Sequence, residues 1–171
     1  MENKPTKVYS SKQESMVAQA LGWQVVSGSG AAPCAPGDVK SDDWLGECKT
    51  HASLQKIFFD LDVWKKIKEE AYATHRKPVL FADNGTQDLK HTWCLCSKSN
   101  LNLASLLTVA LPYAIRKNVT FDDEKASQTL KKTGSAYCIG EVFAGIIYQA
   151  QWAGESVVIM PFSYFQELVN R

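Results

Sequence analysis

Apolar residues recur at helical spacing in two clear segments of the chain. The first helix is predicted from Ser10 or Ser11 to Gly22, with an apolar stripe of Met16, Val17, Ala20 and Leu21. The second is predicted from Asp60 or Asp62 to about Thr74, with Trp64, Ile67, Ala71 and Tyr72 on its core face. Its lysines and glutamates are expected to form a solvated face.

Short runs of aromatic and β-branched residues predict strands between and after these helices. The strands are expected at Trp23–Ser27, Asp38–Lys40, Trp44–Lys49, Pro78–Ala82, His91–Cys96, within 142–152 and at Ser156–Met160. Further helices are predicted from Ser99 to about Leu111, from Phe121 to about Gly134 and from Phe162 to Val169. The order predicts an α/β protein with a mixed central sheet flanked by helices.

The predicted hairpin of Asp38–Lys40 and Trp44–Lys49 carries the chain's most informative polar residues. Alternate residues of a strand share a face, so Glu47 and Lys49 point one way and Cys48 points the other. Asp38 is expected beside them on the neighbouring strand. Carboxylate oxygens are ligands that Mg²⁺ prefers, and a metal-activated water near a lysine suits phosphodiester hydrolysis.

The pattern of Pro36-Gly37-Asp38 followed by Glu47-Cys48-Lys49 resembles the PD-(D/E)XK nuclease superfamily, although Gly37 separates the proline from the aspartate. With Ser27-Gly28-Ser29-Gly30 before it, the segment looks most like the archaeal-type and phage-type Holliday-junction resolvases. The resemblance covers about residues 10–96. It implies a restriction-endonuclease-like fold, with a nuclease core at residues 1–98 and a C-terminal extension at 99–171 that closes with a strand and helix at 156–170.

The resemblance also implies a site and partners. Asp38, Glu47, the backbone carbonyl of Cys48 and Glu14 would bind Mg²⁺, for which Mn²⁺ can substitute, and Lys49 would assist catalysis. The substrate would be DNA, in particular branched DNA, and two symmetric cuts imply a homodimer. Neither a nucleotide cofactor nor a membrane is expected. Six residues are predicted to contact DNA: Ser27, Ser29, Lys40, His51, Gln55 and Lys56.

Several alternatives stay open at this point. Glu14 stands three residues after Ser11, so it is also a candidate capping-box partner. Glu47 and Lys49 could form only a surface salt bridge, and the loop at 27–37 could be a plain connection. A nuclease of the same fold acting on linear or damaged DNA, a non-catalytic DNA-binding protein and an unrelated interaction protein are the competing functions.

Composition and net charge do little to distinguish between these functional hypotheses. The 171 residues carry a net charge of +1, so a DNA-binding surface would require segregation of charge. Five cysteines, odd in number and irregularly spaced, favour reduced thiols and a cytoplasmic location, or the host cytoplasm for a phage protein. His91, Cys94 and Cys96 lack the spacing of structural zinc sites, and the two cysteines are expected to be core residues.

Overall fold

The central feature of the protein is a mixed sheet with helices on both faces, as the predicted α/β class requires. A computed structural model describes residues 6–27, 35–51, 56–101, 109–115, 118–123, 138–139, 142–143, 146–150 and 155–170. The helices described are α1 (Thr6–Leu21), α2 (Leu61–Ala73) and α3 (Phe162–Val169). The strands described are β1 (Gln24–Val25), β2 (Val39–Lys40), β3 (Trp44–Thr50), β4 (Ile57–Asp60), β5 (Lys77–Asp83), β6 (Thr92–Ser97), β7 (Val109–Ile115), β8 (Asn118–Phe121), β9 (Cys138–Ile139), β10 (Val142–Phe143), β11 (Ile146–Ala150) and β12 (Glu155–Pro161).

Eight of the described strands form one sheet in the order β1-β2-β3-β5-β6-β12-β11-β7. The β3–β5 and β7–β11 pairs are parallel, and the other neighbours are antiparallel. Helix α2 is the crossover between β3 and β5, which a parallel pair requires. Strands β4 and β8 pair with each other outside this sheet. The carboxyl ends of β3 and β5 therefore meet at one end of the sheet, beside the start of β6.

The two faces of the sheet bury different cores because side chains alternate along each strand. One face packs against α2 and β4 through buried residues that include Leu45, Leu80, Ala82, Trp93, Trp64 and Ile57. The other face packs against α1 and α3 through residues that include Cys48, Phe81, Cys94, Val17, Phe162 and Phe165. Strands β5 and β6 are buried on both faces, which explains their continuous apolar sequence.

Helix α2 begins where the sequence predicts. The Asp60 side chain accepts hydrogen bonds from the backbone amides of Asp62 and Val63, so Asp60 is the N-cap. Trp64, Ile67 and Ala71 are buried, as predicted. The prediction for Tyr72 was wrong: it is 50% exposed, because it lies at the edge of the stripe centred on the buried residues.

Helix α1 begins earlier than the capping residues suggest. It starts at Thr6, and Ser15 Oγ donates to the Ser11 carbonyl at 2.8 Å, so Ser11 lies inside the helix. The predicted N-cap at Ser10 or Ser11 and the capping-box role of Glu14 were therefore wrong. The position of Glu14 about two turns into this longer helix leaves its carboxyl available to the sheet.

The second half of the chain departs most from its predicted elements. The helix predicted up to Leu111 is wrong at its end, because Val109–Ile115 is a strand paired with β11. Strands β4 and β8 were missed, and β1 is shorter than predicted. The closing elements are confirmed as β12 and α3, and β12 pairs with β6 inside the main sheet. Within the described residues, no helix has both the length and the apolar character needed to cross a membrane.

Candidate active site at the ends of β2 and β3

Asp38 lies just before β2 begins and extends the pairing with β3. The Asp38 amide donates to the Gly46 carbonyl at 2.8 Å, and the Cys48 amide donates to Asp38 Oδ2 at 2.8 Å. Gly46 and Cys48 both direct their backbone groups to this side of β3. The Asp38 carboxylate thus takes the place of a backbone acceptor, and a buried N–H requires one.

A tight turn at Gly37 brings Asp38 to this position. Gly37 has φ of +66°, which L side chains rarely adopt, and a Cβ there would come within 2.8 Å of Leu45 Cγ. Its amide donates to Glu70 Oε2 on α2 at 3.1 Å. The glycine between Pro36 and Asp38 therefore has a local physical role, because it makes the turn that positions Asp38.

Glu47 and Lys49 form a close, partly buried pair on the next strand. Lys49 Nζ lies 2.6 Å from Glu47 Oε1, and their side chains are 38% and 8% exposed. The predicted sharing of one face is confirmed, with the Cys48 side chain in the opposite core. Because the Glu47 carboxylate is buried, the pair differs from an ordinary salt bridge at the surface, whose contribution to stability is small.

The Asp38 carboxylate is close enough to act on the same lysine. Burial alone would lower the pKa of Lys49, but the hydrogen bond and negative charge of Glu47, together with the charge of Asp38, raise it overall. The ammonium form is therefore favoured at neutral pH. Asp38, Glu47 and Lys49 therefore interact electrostatically at this end of β3.

Glu14 of α1 approaches the same cluster. Burial raises its pKa, and the negative charges of Asp38 and Glu47 raise it further, while Lys49 acts in the opposite direction. Glu14 is half-buried. A bound cation would reduce the electrostatic repulsion among these three carboxyl groups.

The site offers Mg²⁺ two carboxylate ligands rather than three. Among the described residues, no group of three or more histidine, cysteine, aspartate or glutamate side chains is arranged to hold a metal ion. Glu14 therefore belongs to the electrostatic surroundings, and its predicted role as a ligand gains no support. Mg²⁺ keeps several waters and is commonly held by one or two carboxylates, so Asp38, Glu47 and the Cys48 carbonyl are a fitting set. The Cys48 side chain lies in the opposite core, so the thiol is not part of this donor set.

Gln13 is a residue of this site that the sequence did not indicate. It is 1% exposed, and its Nε2 donates to the Lys49 carbonyl at 3.2 Å, which joins α1 to the end of β3. Its Oε1 is buried without a hydrogen-bond partner among the described residues. Only its position beside Glu14 could have drawn attention to it, since the contact spans 36 residues of sequence.

The residues predicted to contact DNA do not all lie at this end of the sheet. Lys56 and Ser27 are exposed, and the His51 ring contacts the Phe58 ring edge-on at 4.8 Å. Lys40 pairs with Leu45, four residues before Lys49 on β3, so it lies away from the carboxylates. Ser29 and Gln55 lie outside the described residues.

A second polar group lies on the opposite face at the same sheet end. Asp83, the last residue of β5, is fully buried and accepts from Thr50 Oγ1 and from the Gly85 amide, each at 2.7 Å. Burial raises the pKa of Asp83, and these hydrogen bonds oppose the shift only in part. Its Oδ2 is buried and has no hydrogen-bond partner among the described residues.

The zinc alternative finds no support in the described residues. His91 Nδ1 lies 2.6 Å from Asp123 Oδ2, whereas Cys94 and Cys96 are buried in the core on the α1 side. The described part of the chain holds no metal-ligating group that includes them. A comparison of the chain with protein-family models, with curated proteins and with solved structures found no match.

Proposed function

We propose that the protein is a metal-dependent DNA endonuclease with a restriction-endonuclease-like fold, and that its substrate is branched DNA of the Holliday-junction type. The observation that carries the proposal is the buried Glu47 carboxylate, paired with Lys49 at 2.6 Å and placed next to Asp38. Burial of two neighbouring carboxylates destabilises a folded chain, because like charges repel and desolvation is costly. A catalytic purpose accounts for that cost.

In this proposal Asp38, Glu47 and the Cys48 carbonyl hold Mg²⁺, and Mn²⁺ can substitute for it. When bound, such an ion neutralises charge on a phosphate and lowers the pKa of water. Lys49 is already a cation, since its pKa is raised, so it acts as a donor and not as a base. Its ammonium orients the attacking water or stabilises the negative charge that grows on the phosphate.

The surroundings of the cluster support the same assignment. The cluster lies at the carboxyl end of β3, near the carboxyl end of its parallel partner β5, which is where ligands bind in open α/β sheets. Helix α1 supplies Glu14 and Gln13 from one side. The exposed Lys56 and the half-exposed Lys49 offer positive charge to a phosphate backbone.

The proposal extends to a homodimer, because two symmetric cuts need two sites. It also extends to the cytoplasm, or the host cytoplasm for a phage protein. The unpaired state of Cys48, Cys94 and Cys96 is consistent with a reducing compartment. A gel-filtration mass of a single chain at micromolar concentration would argue against the dimer.

One observation favours a second candidate. Among the described residues, no three acidic, histidine or cysteine side chains are arranged to hold a metal ion. A non-catalytic DNA-binding protein of this fold would not need such a group. A nuclease acting on linear or damaged DNA would use the same residues as the proposed resolvase.

A cleavage assay separates these functions. Purified protein is incubated with labelled four-way junction, flap, single-stranded and duplex DNA, in Mg²⁺ and in chelator. We expect junction cleavage only with Mg²⁺ and well ahead of duplex cleavage. Lys49→Gln should lower the cleavage rate by about 10²–10³-fold with junction binding kept within a few-fold. Equal cleavage of duplex would indicate the linear-DNA enzyme, and binding without any cleavage would indicate the non-catalytic protein.

A further inference from the structure

Two buried oxygen atoms near the end of β3 have no hydrogen-bond donor among the described residues. They are Oε1 of Gln13, which is 1% exposed, and Oδ2 of Asp83, which is fully buried. A buried acceptor without a donor costs free energy, and such groups are nearly always satisfied by protein or by ordered water. The proposed reaction uses neither atom, so both require a donor that the described residues do not supply.

Both side chains lie on the same face of the sheet. Cys48 and Phe81 project into the core beneath α1 and α3. Residues two positions apart on a strand share a face, so Thr50 and Asp83 project to the same side. These two side chains are joined by the hydrogen bond from Thr50 Oγ1 to Asp83 Oδ1 at 2.7 Å. Gln13 reaches this face from α1.

The backbone of β3 places the Gln13 amide on the side of β5. Gly46 and Cys48 turn their backbone groups toward β2, as their hydrogen bonds with Asp38 show. Backbone groups alternate in direction along a strand, so the Lys49 carbonyl turns toward β5. Gln13 Nε2 donates to that carbonyl at 3.2 Å. This bond also fixes which atom of the amide is the nitrogen, because the opposite orientation would set two oxygens against each other.

The register of β3 and β5 sets a spacing that one water molecule can span. Thr50 pairs with Asp83, and the residue that Gln13 contacts is the sequence neighbour of Thr50. Adjacent strands are about 4.8 Å apart. A water that donates to two acceptors joins oxygens up to about 5.5 Å apart, which is twice an ordinary O–H···O distance. A single water is therefore the size of ligand that this register accommodates.

The chemistry of the two atoms favours water over other donors. A carboxylate oxygen and an amide oxygen are both acceptors, so they cannot bond to each other while Asp83 is ionised. Water has two protons and can donate one to each. When Asp83 holds its proton, which burial favours by raising its pKa, the carboxyl donates to the water and the water still donates to Gln13. One carboxylate and one amide oxygen match a divalent cation poorly, since Ca²⁺ takes about 6–8 oxygen ligands.

We propose that a buried water molecule bridges Gln13 Oε1 and Asp83 Oδ2 on the α1 side of the sheet. Two direct hydrogen bonds flank it, from Gln13 to the Lys49 carbonyl and from Thr50 to Asp83. Together they tie α1 and β5 to the end of β3, the strand that carries Lys49. This water site goes beyond the proposed function and is expected whether or not the protein cleaves DNA.

The test is a crystal structure of the full chain at a resolution that shows ordered water, with one set of crystals soaked in rubidium chloride. In the wild-type protein we expect density for one water within hydrogen-bond distance of both oxygens, without an anomalous signal from rubidium. Gln13→Met is the informative variant, because it removes the acceptor and keeps a side chain of similar length. The water should be lost in this variant.

The matched control is Gln19→Met, the same substitution at an exposed position of the same helix. It should keep the water. If Gln13→Met fails to fold, the wild-type crystals still decide the question, since the proposal states which two atoms the water must contact. In solution, a cross-peak between a long-lived water and the side-chain amide protons of Gln13 is the second readout, and it should be present in wild type and in Gln19→Met.

Three results would overturn the proposal. The first is a wild-type structure in which the two oxygens contact each other directly or have no water between them. The second is a rubidium peak at this position, which would identify a cation site instead. The third is a water that stays in place in Gln13→Met, because Asp83 alone would then hold it. The cleavage assay is independent of all three, so the nuclease proposal stands or falls separately.

Discussion

Asp38 has two separable roles, and two substitutions at this position should tell them apart. Its carboxylate accepts the hydrogen bond of the buried Cys48 amide, and its charge belongs to the proposed cation site. Asp38→Ala removes both the acceptor and the charge. Asp38→Asn keeps an oxygen that can accept from Cys48 and removes only the charge.

The expected magnitudes follow from the surroundings of the Cys48 amide. Cys48 is 4% exposed, so an amide left without an acceptor costs about 1–3 kcal/mol of unfolding free energy. In Asp38→Asn the hydrogen bond becomes a weaker neutral one and the attraction to Lys49 is lost, while the repulsion between Asp38 and Glu14 is removed. We therefore expect Asp38→Asn to lie within about 1 kcal/mol of wild type, and Asp38→Ala about 2 kcal/mol below it.

Urea unfolding followed by circular dichroism measures this difference. For slopes of about 2 kcal/mol/M, Asp38→Ala should shift the midpoint by about 1 M. Chelator in every sample prevents metal binding from adding stability. Asp42→Ala removes an exposed acid from the same hairpin and is the control for charge alone. An Asp38→Ala protein as stable as wild type would refute the structural role assigned to this carboxylate.

The remaining predictions concern the turn and the buried acid beside the site. Gly37→Ala should lower the free energy of unfolding by about 1–3 kcal/mol more than Gly22→Ala does in the same experiment. Both glycines have positive φ, but only the new Cβ at Gly37 meets neighbouring atoms, with Leu45 Cγ at 2.8 Å. Equal losses would show that Leu45 moves aside freely. For Asp83, burial raises the pKa above its ordinary value of 3.8, so the folded state holds the proton more tightly than the unfolded state. Its contribution to stability is therefore greatest at low pH and falls as pH rises from about 3.8 through the raised pKa. Unfolding free energies measured from pH 3.5 to 7 should fall with pH relative to Asp83→Asn across that window, and a parallel pair of curves would contradict the shift.

The local part of the site could be predicted from sequence because strand geometry depends on near neighbours. Side chains alternate between the two faces along β3, so Glu47 and Lys49 must share a face. The short connection between β2 and β3 places Asp38 on the neighbouring strand. Asp60 capped α2 as predicted because capping also depends on neighbouring residues. In each case the relevant contacts span ten residues or fewer.

Contacts between distant segments could not be predicted in this way. Gln13 meets the Lys49 carbonyl, and His91 meets Asp123, across more than 30 residues each. The pairing of β4 with β8 is also long-range, and nothing in either four-residue run identifies its partner. Leucine-rich residues before Val109 suggested a helix, whereas tertiary pairing with β11 makes Val109–Ile115 a strand.

The most direct test of the central claim is a titration of the metal-free protein with Mn²⁺, followed by the paramagnetic signal of the free ion. The claim is that Asp38 and Glu47 hold one divalent cation at the end of β3. We predict one saturable site per chain, lost in Asp38→Asn and in Glu47→Gln. Lys49→Gln should bind at least as tightly as wild type, because the ammonium that competes for Glu47 at 2.6 Å is gone. A wild-type protein without saturable binding, or binding unaffected by both carboxylate substitutions, would contradict the account.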